Sequence, residues 1–248
     1  MLPKRTLGPW LATKMSRHNV SMRNQAPVVT FTFDDFPESA ATVGARILLD
    51  HGAHGTFYMA GGLLGRALEG VRIASPEQVD ELWQAGHEIG CHTFSHVGID
   101  QLGSAGIEEE LEANRASFSN GRHDRRFISF SYPFGLMSLA AKRVLSTRFA
   151  SCRSIVPGIH AGKVDLACLR AIRLYDTQID RAQIDRCMDR LLHCNGWVIF
   201  YTHDVVDRPT RFGCSPALLE YAVGRAQNLG ADVLTVRNAI GRVAFGGS

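Results

Sequence analysis

The sequence predicts an α/β fold in which a mostly parallel sheet carries helices on its outer face. Segments rich in β-branched and aromatic residues alternate with segments of helical periodicity beyond residue 25. The connections are short, and no linker or change of composition divides the chain after that residue. Seven or eight such strand–helix units would close into a barrel, with the functional residues at the C-terminal ends of its strands.

The first half of the chain begins with its most uniformly apolar segment. Val28–Phe33 consists of β-branched and aromatic residues and predicts a buried strand. Ser75 is a suitable N-cap, Pro76 suits a first helical turn, and Gly86 ends that helix. In this half we predict strands at 28–33, 55–59, 87–90 and near 127–131, and helices at 39–50, from 76 to the turn at 86, and at 104–119.

The second half repeats this alternation. Trp197–Thr202 is apolar along its length, which predicts a second buried strand. We predict strands at 148–152, 170–174, 197–202 and 232–236, and helices at 137–146, 180–194 and 215–229.

The composition is that of a globular protein. Hydrophobic residues make up 45% of the 248 residues and charged residues 21%, and there is no low-complexity tract. A formal net charge of +3, without a basic cluster interleaved with aromatic residues, argues against a nucleic-acid partner. No run of about 20 apolar residues occurs, so a membrane span is not expected.

The N-terminal region and the cysteines bear on location. Residues 1–25 have little hydrophobic periodicity and predict a tail or arm packed on a single domain at 26–248. They contain basic residues without a sustained apolar run, so a secretory signal is not expected. The six cysteines form no C-x-x-C pair and are expected to be reduced thiols, which favours a cytoplasmic location.

Two adjacent carboxylates, Asp34 and Asp35, end the first strand. An unpaired buried charge is costly, and coordination of a cation by at least one of the two would offset that cost. The alternative is that the pair caps the following helix.

Two histidines, His92 and His96, follow the third predicted strand at a spacing of i and i+4. On a helical turn this spacing places both imidazoles on one side, where they could chelate one zinc ion; a structural or surface pair is the alternative. One aspartate and two histidines would give three protein ligands and leave positions open for water and substrate. The neighbouring Cys91 should point the opposite way in an extended segment.

These segments resemble, in order, the motifs of the NodB-type polysaccharide deacetylases, carbohydrate esterase family 4. The family's motifs T-F-D-D-G, H-[S/T]-x-x-H, R-x-P-Y-G and L-x-H correspond to Thr32–Phe36, His92–His96, Ser131–Gly135 and Tyr201–His203. The resemblance extends from about residue 27 to 240 and implies a distorted (β/α) barrel of about seven strands.

The resemblance implies that Asp35, His92 and His96 are the metal ligands. Zn²⁺ suits these donors, and Co²⁺, Ni²⁺ or Mn²⁺ could occupy the same set. An acetamide is a poor electrophile, so the zinc ion would polarise its carbonyl and lower the pKa of a bound water.

The resemblance also implies the acid–base residues. Asp34 would be the general base and His203 the general acid that protonates the leaving amine. The backbone N–H that stabilises the oxyanion falls on Phe134, where a backbone role allows phenylalanine in place of tyrosine.

The sequence departs from the family pattern at several positions. Ser131 stands where the family has the arginine that holds the catalytic base, and we hypothesise that Arg153 reaches the site instead; a surface or loop-pinning role is the alternative. The family's Asp–Trp element lacks its tryptophan, and we predict that Asp176 pairs with His203; a helix-capping or loop aspartate is the alternative. Tyr201 replaces the leucine of the acetyl-methyl pocket, and the first motif has phenylalanine in place of its glycine.

The expected function is hydrolysis of N-acetyl groups from amino sugars in an oligo- or polysaccharide. An O-acetyl carbohydrate esterase is the nearest alternative, because the metal chemistry barely distinguishes esters from amides. A cyclic imide or ureide amidohydrolase on the same fold is a further alternative. A non-catalytic sugar-binding pseudoenzyme is a different class, and the retained catalytic set argues against it.

Overall fold

The computed structural model describes residues 12–15, 17–122 and 124–246. Its strands, in chain order, are β1 (Asn19–Ser21), β2 (Val28–Asp34), β3 (Thr56–Met59), β4 (Ala67–Leu68), β5 (Val71–Arg72), β6 (Glu88–Cys91), β7 (Ser129–Ser131), β8 (Ser151–Arg153), β9 (Lys163–Asp165), β10 (Ile172–Arg173), β11 (Trp197–Thr202) and β12 (Asp232–Val233). Its α-helices are α1 (Ala45–Asp50), α2 (Pro76–Gln84), α3 (Ser104–Ser119), α4 (Leu139–Arg148), α5 (Arg181–Cys194), α6 (Pro216–Asn228) and α7 (Val236–Phe245).

The main sheet is parallel and has the strand order β10-β11-β2-β3-β6-β7-β8, with β12 also paired to β2. The segment between β9 and β10 links the two edge strands of this sheet, β8 and β10. Leu169 forms a parallel bridge with Arg153 at the end of β8, and the chain then continues into β10. The sheet is therefore a distorted barrel, and the predicted fold class is confirmed.

Strand β2 lies near the middle of the sheet and is buried along its whole length. Phe31 and Phe33 pack in the core between the sheet and the helices. Side chains along a strand alternate between its two faces, so Thr30 and Thr32 lie on the face opposite to Phe31 and Phe33. Thr30 accepts a hydrogen bond from the buried Trp197 indole. The same alternation places Asp34 on the inner face, at the carboxyl end of the barrel.

Most predicted elements are present within a few residues. The helix predicted at 104–119 and the strand predicted at 197–202 have those bounds. Helix α2 begins at a capping box in which Ser75 and Gln78 each accept a hydrogen bond from the backbone N–H of the other. The helix predicted at 39–50 begins with a wider turn at Ala40–Gly44 before α1.

The expected helical turn at His92–His96 is wrong. The segment is irregular, because Thr93 and His96 have positive φ angles of 61° and 53°. The prediction also omitted α7, the β4–β5 hairpin, and the antiparallel pairing of β1 with β9.

The N-terminal segment is attached through a buried lysine. Lys142 of α4 is fully buried, and its ammonium donates to the carbonyls of Ala12 and Met15 and to Asp165. Together with the β1–β9 pairing, these bonds fix residues that were predicted to be an arm. Residues 1–11 and 16 lie outside the described residues, and the division of the chain at residue 25 stays a prediction.

Among the described residues, no helix is both long enough and apolar enough to cross a bilayer.

Candidate active site

A cavity of about 650 Å³ opens at the carboxyl ends of the barrel strands. It is lined by residues that follow or end β2, β6, β7 and β11, because parallel strands present these ends at the same edge. The structure thus brings most of the predicted site residues to one place: Asp34, Asp35, His92, His96, Phe134 and His203.

Asp34 is buried and forms an ion pair with Arg153. Burial alone would raise the pKa of this carboxyl group. The charge and the hydrogen bond of Arg153 outweigh burial and hold the pKa of Asp34 below its ordinary value. Asp34 is therefore ionised at neutral pH.

Arg153 is fully buried and also donates a hydrogen bond to the hydroxyl of Ser131. Its guanidinium carbon lies 5.2 Å from the ring centroid of Tyr58 and 4.8 Å from that of Tyr201. Two aromatic faces thus stabilise a buried cation whose counter-ion is Asp34. The contact hypothesised from the sequence is present, whereas the catalytic role of Arg153 stays a prediction.

Asp35, His92 and His96 form a candidate metal site. Their ligand atoms lie within 4.8 Å of one another, and Asp35 Oδ1 is 3.1 Å from His96 Nε2 and 3.5 Å from His92 Nε2. The same Oδ1 is buried and has no hydrogen-bond partner. An orphaned carboxylate oxygen facing two imidazole nitrogens fits a divalent metal ion, which would satisfy all three atoms.

Burial also sets the protonation states in this group. It raises the pKa of Asp35 to about 6, an effect that His203 opposes and the neighbouring Asp34 reinforces. Burial lowers the pKa of His92 to about 3, so this imidazole is neutral. His92 Nδ1 lies 2.8 Å from the carbonyl oxygen of Ser131 and donates to it, which leaves the Nε2 lone pair directed at the site.

His203 is held by a backbone carbonyl. Its Nδ1 lies 3.1 Å from the oxygen of Phe212, and its Nε2 lies 4.0 Å from Asp35 Oδ2. The predicted pair with Asp176 does not form. Asp176 instead accepts a hydrogen bond of 2.8 Å from the N–H of Ser215, just before α6, so the capping alternative describes this residue.

Asp204 shapes the loop that supplies this carbonyl. Its carboxylate accepts hydrogen bonds from the backbone N–H and the hydroxyl of Thr210, at 2.8 and 2.6 Å. The Thr210 hydroxyl in turn accepts from the N–H of Phe212. A Cβ at Gly213 would clash with Asp204, so glycine is required there. These bonds fix the position of the Phe212 carbonyl and, through it, the imidazole of His203.

Phe134 lies at the mouth of the cavity. Its φ of 57° is unusual for a residue with a side chain, and its side chain is 59% exposed. The ring lies 4.5 Å from that of His96. The predicted oxyanion role of its backbone N–H stays a prediction.

The family can be assigned from the sequence of the first half of the barrel. The polysaccharide deacetylase model matches residues 21–147, which is more than half of the 248 residues. The chain belongs to the polysaccharide deacetylase family. The resemblance inferred from the motifs is thereby confirmed.

Two curated deacetylases match shorter segments of this family member. A chitin deacetylase from Arthroderma benhamiae is 29% identical over 84 residues, which is 34% of this chain and 21% of the relative. A chitooligosaccharide deacetylase from Sinorhizobium fredii is 31% identical over 93 residues, which is 37% of this chain and 40% of the relative. The matches therefore span less than half the length of either curated relative.

Solved structures of polysaccharide deacetylase-like proteins share the fold over most of the chain. A family 4 acetyl xylan esterase from Clostridium thermocellum superposes with a TM-score of 0.61 at 18% identity, over 86% of this chain and 90% of that one. A peptidoglycan N-acetylglucosamine deacetylase gives 0.60 at 16% identity, over 92% of each chain. At these identities the superpositions establish the fold.

Sequence reasoning missed the contacts of two groups of residues in this site. Tyr58 and Tyr201 enclose Arg153, and Asp204 with Thr210 positions the loop beside His203. Strand alternation could have indicated Tyr201, since residues two apart in an extended segment, such as Tyr201 and His203, point to the same side. The loop bonds depend on tertiary geometry and have no local sequence signal.

We expect His96→Ala to weaken zinc binding by more than about 100-fold, because loss of even an outer-shell partner of a zinc ligand costs about 10- to 100-fold. Zinc affinity would be measured by competition with a chromophoric chelator. His193→Ala, in the exposed last turn of α5, is the matched control and should retain affinity. Equal affinities in the two variants would exclude His96 as a ligand.

Proposed function

We propose that this protein hydrolyses N-acetyl groups of amino sugars in an oligo- or polysaccharide. The observation that carries the proposal is a buried, ionised carboxylate, Asp34, beside a separate set of metal donors in one open cavity. A binding protein has no need of both features. The family assignment and the names of the curated relatives support a deacetylation reaction.

The donor set supports the proposed metal chemistry. A divalent ion held by Asp35, His92 and His96, with Zn²⁺ as the proposed native ion, would polarise the acetyl carbonyl as a Lewis acid. The buried, neutral imidazole of His92 offers its Nε2 lone pair without first losing a proton.

The proton transfers are assigned to two residues. Asp34 accepts a proton from the attacking water, and Arg153 holds its carboxylate in place during this step. His203 donates its Nε2 proton to the nitrogen of the departing amine as the C–N bond breaks. The N–H of Phe134 donates to the oxyanion that develops on the acetyl carbonyl. The products are acetate and a free amino sugar.

Acetate release from N-acetylglucosamine oligomers tests the proposal. We expect release with added zinc and its loss with a chelator, followed by recovery when zinc is restored. Release from O-acetylated xylo-oligosaccharides or ring opening of a cyclic ureide, without release from the N-acetylated oligomers, would replace the proposal with the corresponding alternative. Zinc-loaded protein that binds the oligomers without hydrolysing any substrate would identify a pseudoenzyme.

We expect Thr210→Val to reduce amide hydrolysis by up to about 100-fold, because a displaced Phe212 carbonyl misplaces the His203 imidazole. Hydrolysis of an aryl acetate should fall much less, since a phenolate leaves without protonation. Thr210→Ser retains the hydroxyl and should retain both activities. An equal loss with the two substrates would contradict this role of the loop.

A further inference from the structure

Two arginines line the cavity without taking part in the chemistry proposed above: Arg173 and Arg211. Within the described ranges, neither guanidinium has a carboxylate partner within 4.0 Å. Arg153 is fully buried, does not line the cavity, and is neutralised by Asp34.

Arg173 occupies the end of β10, in register with Tyr201 of β11. Leu174 packs in the core between sheet and helices, so alternation directs Arg173 and Tyr175 toward the barrel mouth. Arg173 is half-buried. A guanidinium group at the cavity wall without a carboxylate partner is available to an anion that enters the cavity.

Arg211 lies on the His203 side of the same cavity. Its guanidinium carbon is 4.5 Å from the ring centroid of Phe212, which restricts where the charge can lie. Tyr175 connects the two positions: it is two residues from Arg173, and its ring centroid lies 6.0 Å from that of Phe212 and 5.9 Å from that of His203.

The acidic residues of the lining do not neutralise these two cations. Asp34 is paired with Arg153, Asp35 belongs to the metal donors, and Asp204 accepts two hydrogen bonds from Thr210. The remaining carboxylate, Glu69, lies in the β4–β5 turn. The wall beside His203 is therefore positively charged.

We propose that Arg173 and Arg211 form an anion subsite that binds a sugar carboxylate. The substrate class is then an acidic oligosaccharide, with the carboxylate on the N-acetylated sugar or on the unit next to it. Guanidinium groups match the planar, two-oxygen geometry of a carboxylate. The substrate assignment rests on the proposed function, whereas binding at the subsite does not require turnover.

The test compares two oligosaccharides that differ only in charge. One alternates hexuronate with N-acetylglucosamine, and the other is the same oligosaccharide after reduction of its carboxyl groups to primary alcohols. Isothermal titration calorimetry gives Kd for each with the zinc-loaded protein. We expect tighter binding of the acidic form by about 10- to 100-fold, the contribution of one charge-assisted hydrogen bond.

Arg173→Gln and Arg211→Gln should each bring the ratio of the two Kd values toward one. Arg181→Gln is the matched control, because Arg181 lies 4.8 Å over the ring of Tyr221, an arrangement like that of Arg211, on α5 and outside the cavity lining. It should keep the wild-type ratio. Equal Kd values in the wild type, or an unchanged ratio in both cavity variants, would overturn the subsite.

Acetate release in the same samples separates this inference from the proposed function. Discrimination in Kd without acetate release from either oligosaccharide would keep the subsite and contradict the deacetylation. Acetate release with equal Kd values would keep the deacetylation and reject the subsite.

Discussion

Asp34→Asn is expected to lower the turnover of N-acetylated sugars by about 100- to 10,000-fold, the range that a general base contributes. An amide cannot take the proton of the attacking water, although it is nearly the same size as the carboxylate. Asp34 is not among the candidate metal donors, so zinc content should be retained. Turnover and zinc content would be measured on the same sample.

Asp180→Asn is the matched control. Asp180 caps α5 by accepting from the N–H of Gln183, and asparagine is an equally good cap. Its turnover should equal that of the wild type. Asp34→Asn that retained wild-type turnover with full zinc content would contradict the assignment of the base.

Arg153→Met is expected to lower the free energy of unfolding by about 3–5 kcal/mol, because it leaves Asp34 buried without its counter-ion. Methionine preserves much of the apolar volume between the rings of Tyr58 and Tyr201. Urea denaturation of the metal-free protein would measure the loss without a contribution from metal binding.

The double variant Arg153→Met/Asp34→Asn separates charge from packing. Removing both charges takes away the uncompensated carboxylate, so the double variant should be more stable than Arg153→Met alone. If the losses of unfolding free energy in the two single variants add up in the double variant, the broken ion pair is not the source of the instability.

The elements that could be predicted from the sequence are those whose own residues form a clear apolar or periodic pattern. The apolar runs of β2 and β11 and the helix of 104–119 follow directly from composition and periodicity. The candidate metal donors could be predicted because they come directly after predicted strands. The short strands β1, β4, β5 and β9 contain only two or three residues, too few for a period-two pattern to be recognised.

The details of the site that were predicted wrongly concern loops. The turn at His92–His96 depends on positive φ angles, which residues other than glycine adopt only when the surroundings enforce them. The partner of His203 is a backbone carbonyl nine residues away, and any residue type can supply such an acceptor. Asp176 was equally compatible with a cap and with a histidine partner in the sequence, and only the fold distinguishes them.

The arginine that pairs with Asp34 comes from β8, one strand beyond the position at Ser131 where the family motif has its own. The side chains of Ser131 and Arg153 are both fully buried and in contact, so this part of the barrel interior holds only one guanidinium group. The two arrangements are thus mutually exclusive. An evolutionary path between them passes through an ancestor with two crowded arginines or with none, and the second substitution then compensates for the first. Residues 131 and 153 should therefore covary across homologous chains, with arginine at one position or the other.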